Sequence, residues 1–134
     1  MRVFIDTNIL ISAALFPTGV AAAAYNKAVT SPCEPVVSDY VIDELRRVFV
    51  RKFPQKMTTL DSFLAALSSC VRNVDTPEAK DAGEDAIRDP NDRPVLRAAR
   101  SCEADVLLTG DKDLLEAGVD WPSIVTAGEF VASF

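Results

Sequence analysis

"RVFIDTNIL", residues 2 to 10, decides how the rest of the chain is read. "RVFI" is a short apolar run that suits a buried strand, and the stretch from Thr7 to Leu15 has a helical pattern. Asp6, Thr7 and Asn8 stand where the strand hands over to the helix. A carboxylate there is either a turn and capping residue or part of a site, because parallel sheets bind ligands beyond the carboxyl ends of their strands.

Working outward, the same alternation recurs. Pro17 to Gly19 break the first helix, and the Ala-rich segment Val20 to Val29 favours a second. "PVV" at 35–37 reads as a strand, and Ser38 is a good N-cap for a helix over Asp39 to Lys52, which stops before Pro54. Thr58 is expected to cap the next helix, whose Leu60, Phe63, Leu64, Leu67 and Val71 form one apolar stripe. Thr76 to Asp89 is acidic and irregular, with a short extended piece expected near Ala86 to Arg88. A helix over Asp92 to Cys102 follows, with Pro94 in its first turn. "DVLL" at 105–108 and "SIVT" at 123–126 are further strands, and Ala127 to Phe134 is a closing helix. Short apolar strands alternating with helices predict an α/β domain with a parallel sheet covered on both faces. The length of 134 residues fits one domain spanning 1–134.

Composition narrows the chemistry. The chain has no histidine, so zinc sites built on imidazole and Ser-His-Asp catalysis are excluded in their usual forms. The net charge of −6 is not the usual footprint of a nucleic-acid binder. Cys33, Cys70 and Cys102 are few, odd in number and far apart, which fits reduced thiols in a cytoplasm. Cys70 and Cys102 sit in apolar surroundings and are expected to pack in the core. The apolar runs are too short to span a bilayer, and Asp6 and Asn8 interrupt the stretch a secretory signal would need.

Chemistry therefore falls to carboxylates. Asp6 follows the first strand and Asp111 the third, in "LLTGDKD". On a helical wheel, Val41, Leu45 and Val48 make the inner stripe of the helix after Ser38. Glu44 lies on the edge of that stripe and Asp43 projects to water. Asp92 falls on the face set by Val95, Leu96, Ala99 and Cys102, whereas Asp89 precedes the helix and the wheel cannot orient it. Each acid has an ordinary alternative: a cap for Asp6, Asp92 or Asp111, a salt bridge for Glu44. Together their positions are compatible with one pocket, which Asp113 could join. Packed side by side they need a counter-charge, and oxygen-only ligands favour Mg²⁺ or Mn²⁺.

"FIDTNIL", "SDYVIDELRRV", "DPNDRPVL" and "VLLTGDKDLL", in that order and down to a closing "VTAGEFV", resemble the successive motifs of PIN domains, above all the VapC-type ribonucleases of toxin–antitoxin systems. That resemblance implies a three-layer α/β/α domain with a central, mostly parallel sheet of four to five short strands. It implies that Asp6, Glu44, Asp92 and Asp111 are the catalytic, metal-binding acids, with Asp113 a fifth metal ligand. Thr7 and Asn8 match the polar residues flanking the first acid, and Thr109 the polar residue before the last. The activity implied is a Mg²⁺- or Mn²⁺-dependent endoribonuclease that hydrolyses RNA by metal-activated water, using one or two ions. A small antitoxin and a homodimer are the partners implied, and no membrane. Arg46, Arg47, Arg51, Lys52 and Lys56 form the main basic cluster, and Arg93, Arg97 and Arg100 a sparser one. Either is a solvated helix face or a track for the RNA backbone, with Arg46, Arg47 and Arg93 the candidate contacts.

Two rival functions stand beside this one. A PIN fold without catalysis could serve as an interaction module. A haloacid-dehalogenase-like phosphatase also uses Mg²⁺, but its strand-end Asp-x-Asp pair is broken here by Asn8.

Overall fold

The structure, a computed structural model, describes all 134 residues. Five strands form one sheet: β1 (Arg2–Ile5), β2 (Glu34–Ser38), β3 (Arg72–Val74), β4 (Val106–Leu108) and β5 (Ser123–Val125). Their spatial order is β3-β2-β1-β4-β5, and every neighbouring pair is parallel. The expected "mostly parallel" sheet is thus wholly parallel, with β1 at its centre and Val3, Phe4 and Ile5 fully buried. Such burial on both faces explains why β1 reads as a continuous apolar run rather than an alternation.

Seven helices flank the sheet: α1 (Thr7–Leu15), α2 (Val20–Ala28), α3 (Asp39–Lys52), α4 (Met57–Cys70), α5 (Arg93–Ser101), α6 (Lys112–Leu115) and α7 (Ala127–Ser133). α1 packs on α2, α3 and α4, and α2 on α7. Val41, Leu45 and Phe49 of α3 are fully buried, as are Val95, Leu96 and Ala99 of α5, to within 1% exposure. The three-layer α/β/α architecture follows. No single helix is long and apolar enough to cross a membrane.

The structure departs from the sequence reading at several places. β3 was not anticipated: Arg72 and Asn73 are exposed on an edge strand, where no apolar alternation marks them. Thr58 does not cap α4, which instead continues out of a 3₁₀ turn over Pro54–Lys56. Ala86 to Arg88 is no strand; Glu84–Ala86 form a 3₁₀ turn that drives Ile87 into the core. Cys70 is exposed, and only Cys102 is a core cysteine.

The segment between β3 and α5 is a strap held by polar ties. Asp39 Oδ1 accepts from Thr76 N at 2.8 Å and from Thr76 Oγ1 at 2.6 Å. Glu84, 1% exposed, is gripped by Arg97 through Nε at 2.9 Å and Nη2 at 2.8 Å. Arg97 thereby holds the Glu84 carboxyl below its ordinary range, against the opposing effect of burial. Arg100 pairs with Asp81 at 2.7 Å and donates to the Trp121 carbonyl at 2.9 Å. Its guanidinium lies where a side chain at Gly83 would stand, so a larger residue there would displace the arginine from this position. α5 then ends with Glu103 in the left-handed region (φ 58°), its N–H donating to the Arg100 carbonyl and the Ala104 N–H to the Ala99 carbonyl. That bond pair is a Schellman ending, usually built on glycine.

Candidate metal centre

β1 sits between β2 and β4, so the chain reverses direction across the sheet at the β1/β4 junction, where ligands bind in open α/β sheets. Ile5 pairs in register with Leu108, which places Asp6 beside Thr109 although 103 residues separate them. The Asp6 N–H donates to the Leu108 carbonyl at 3.0 Å. Asp6 Oδ1 accepts from the Thr7 N–H at 2.8 Å and Oδ2 from the Thr109 hydroxyl at 2.7 Å. Thr109 Oγ1 in turn accepts from the Asp111 N–H at 3.0 Å. Asn8 Oδ1 accepts from the Gly110 N–H at 3.0 Å, a second tie between the two strand ends. The buried polar side chains number five, and three of them (Asp6, Thr7 and Thr109) belong to this junction. Polarity in the core is therefore concentrated at the place a ligand would occupy.

Asp6, Thr7, Asn8, Ile11, Glu44, Val48, Asp92 and Asp111 line one cavity of about 200 Å³. Water fills roughly 30 Å³ per molecule, so the space suits a cation with part of its hydration shell. All four acids expected from the sequence meet here. The ordinary alternatives fare unevenly. Asp6 and Asp111 do cap α1 and α6, through the Thr7 and Asp113 N–H groups. Glu44 makes no salt bridge. Asp92 opens α5 without capping it, and its Oδ2 is buried with no hydrogen-bond partner. A buried unsatisfied carboxylate oxygen costs about 1–3 kcal/mol or more, and a cation is the natural partner for it.

The electrostatics agree. Burial raises the Asp6 carboxyl from 3.8 to about 6, against the two hydrogen bonds it accepts and with smaller contributions from Glu44 and Asp111. Burial, then the charges of Asp111, Asp89 and Asp6, and last a carboxyl contact with Asp111 that favours the protonated form, raise Asp92 from 3.8 to about 7. Such acids surrender protons reluctantly because burial disfavours the charged form and neighbouring carboxylates repel it. The donor set of carboxylates alone fits a hard divalent cation.

Asp113 does not line this cavity. It lies close to Asp92, where ligand oxygens of Asp89, Asp92 and Asp113 come within 4.8 Å of one another. Arg88 pairs with Asp113 there. Asp89, passed over in favour of Asp92, thus flanks the site; its own side chain accepts from the Asn91 N–H at 3.0 Å. Among the basic residues, Arg46 and Arg47 are exposed on α3. Arg93 is tied to the Ile87 carbonyl at 3.0 Å, and Arg97 and Arg100 are taken up by the strap. Arg97 and Arg100 of the second basic cluster therefore serve the fold. Sequence reading also missed Tyr40, whose hydroxyl donates to the Asn91 carbonyl at 2.5 Å.

A larger groove, about 550 Å³, lies by Met1 at the amino end of β1 and is lined by Lys27, Cys33 and Phe134 among others. It contains no acid, and the Lys27 ammonium already donates to the Phe130 carbonyl at 3.0 Å. Size alone does not make it the site.

The parallel sheet, its switch point and the acid-lined cavity define an α/β protein with a carboxylate pocket at its strand ends. More narrowly, the chain belongs to the PIN-domain family, whose model matches residues 2–113. The fold is similar to that of VapBC2 from Rickettsia felis, bound to a DNA fragment from its promoter, with a TM-score of 0.70 and 17% identity over 94% of this chain and 98% of that one. It is also similar to VapC20 of Mycobacterium tuberculosis, a Sarcin-Ricin loop cleaving toxin, with a TM-score of 0.60 and 17% identity over 87% and 95%. No curated protein sequence matches the chain.

Proposed function

We propose that this chain is a Mg²⁺- or Mn²⁺-dependent endoribonuclease, the toxin of a toxin–antitoxin pair, acting as one domain in the cytoplasm. The observation that carries the reading is the unpartnered, buried Oδ2 of Asp92 in a cavity shared with Asp6, Glu44 and Asp111. Membership of the PIN family and the likeness to the folds of VapBC2 and VapC20, the latter described as a Sarcin-Ricin loop cleaving toxin, support it.

Asp6, Glu44, Asp92 and Asp111 would hold the cation, with Asp113 and Asp89 at its flank. Bound there, Mg²⁺ or Mn²⁺ supplies an activated water near neutral pH and neutralises charge on the scissile phosphate. The chain's own residues set the geometry. Thr109 fixes the Asp6 carboxylate and Asn8 holds the strand end carrying Asp111. Thr7 anchors the start of α1 through its N–H on Asp6. Val48 and Ile11 close the cavity with apolar surface, which strengthens the attraction between the acids and a cation. Arg46 and Arg47 would meet the RNA backbone, and Arg93 would steady the loop beside it. A small antitoxin and a second copy of the chain are the partners this reading expects.

The test is cleavage of a fluorescent RNA oligonucleotide with Mn²⁺, with EDTA, and with Asp92→Asn. Cleavage leaving 5′-phosphate and 3′-hydroxyl ends, lost in the latter two, is the expected result. A protein that binds Mn²⁺ in calorimetry yet leaves every RNA intact would instead be a non-catalytic module.

A further inference from the structure

We infer that Tyr40 is a positioning residue, whose hydroxyl fixes the turn presenting Asp92 relative to the helix presenting Glu44. The inference rests on the metal-site reading above. Tyr40 lies in the first turn of α3, four residues before Glu44, so the two share a helix face. Its hydroxyl reaches across 51 residues to the carbonyl of Asn91, the residue before Asp92. The other restraints on Asp92 come from its own segment, where the Asp89 side chain accepts from the Asn91 N–H and Arg93 donates to the Ile87 carbonyl. The Asp92 side chain caps nothing, and its backbone is held by a 3₁₀ turn through the Asp89 carbonyl at 3.0 Å. The Tyr40–Asn91 bond is thus the direct polar link from α3 to that turn.

The surroundings of the phenol agree with this placement. Burial, and after it the charges of Glu44, Asp92 and Asp6, raise its pKa, with Arg47 opposing, so the hydroxyl is kept as a donor. A carbonyl acceptor suits that donor, whereas an acid acceptor would compete with the cation. Partners of this indirect kind typically change metal affinity ten- to a hundredfold.

Tyr40→Phe keeps the ring and deletes the bond. Thr76→Val, which removes a hydroxyl tie elsewhere on the same strap, is the comparison. The expected result for Tyr40→Phe is a Mn²⁺ Kd about tenfold weaker by calorimetry, a lower kcat with unchanged KM for RNA, and recovery of kcat at high Mn²⁺. In EDTA, hydrogen exchange at the Asp92 amide accelerates. Thr76→Val lowers Tm but leaves the Mn²⁺ Kd within about twofold of the parent. Unchanged affinity in Tyr40→Phe, or equal weakening in both variants, overturns the inference. If the parent protein binds no Mn²⁺, the proposed function fails, and exchange at Asp92 alone decides the role of Tyr40: acceleration upholds it, no change ends it.

Discussion

Replacing Asp6 by asparagine should make the metal-free protein more stable, not less, at alkaline pH. The Asp6 carboxyl ionises near 3.8 in an unfolded chain and at about 6 in the fold. A carboxyl whose pKa is raised by folding lends stability below 3.8 and loses it as pH climbs through 6. The rise corresponds to roughly 3 kcal/mol of destabilisation at about pH 8. Asparagine has the same shape and no charge. It can still accept from the Thr7 N–H, but its amide forces the Thr109 hydroxyl to turn, which costs about 1 kcal/mol. A net gain of roughly 2 kcal/mol remains, or a Tm higher by about 6–10 °C for a domain of this size. At about pH 4 the gain vanishes, because the native aspartate is by then largely protonated. Calorimetric melting of parent and variant side by side in EDTA across that range reads the effect as a difference; there is no imidazole to titrate, but Asp92, raised to about 7, titrates in both proteins. Saturating Mn²⁺ should then reverse the order, since about a hundredfold excess over Kd adds ~2.7 kcal/mol to the parent alone. A variant that is less stable than the parent in EDTA at about pH 8, or an advantage indifferent to pH, would refute the assignment of Asp6 as a buried charge awaiting a cation.

Arg97→Ala strands the buried Glu84 carboxylate and should cost about 3–5 kcal/mol in urea unfolding. Because Arg97 lowers the Glu84 pKa, the stability from this pair is present above the ordinary value of 4.5 and fades as acid titrates below it. Glu103→Gly relieves the left-handed backbone at the end of α5 and should add about 0.5–1 kcal/mol to stability, with RNA cleavage unaltered. The double change Arg46→Ala with Arg47→Ala should weaken RNA binding, lower the slope of log Kd against log salt by about 2, and leave the Mn²⁺ Kd unmoved in calorimetry.

Much of the site was legible because its acids lie at positions that local pattern can fix. Asp6 and Asp111 each follow an apolar strand, and the wheel separates inward Glu44 from outward Asp43, which are half-buried and exposed in the fold. The same reasoning chose Asp92, and the cavity contains it while Asp89 stands at the flank. What sequence did not reveal depends on partners remote in the chain. The Tyr40 acceptor is a backbone carbonyl 51 residues away, and no residue type announces a carbonyl. Arg97 and Arg100 look like free basic residues until the irregular strap supplies Glu84 and Asp81. β3 is three residues long with two exposed polar side chains, so its strand character comes from its neighbour β2, not from itself.

The hydrogen bond from Thr109 to Asp6 joins the first of the cavity's acids to the strand end that carries the last, Asp111. A ribosome makes Asp6 long before β4 exists, and the nascent chain has no fourth acid until residue 111 emerges. Interrupted translation products ending short of that point would carry the first helices and no complete pocket. Under the ribonuclease function proposed above, an order of synthesis that withholds competence until the sheet closes would protect the ribosome that is making it.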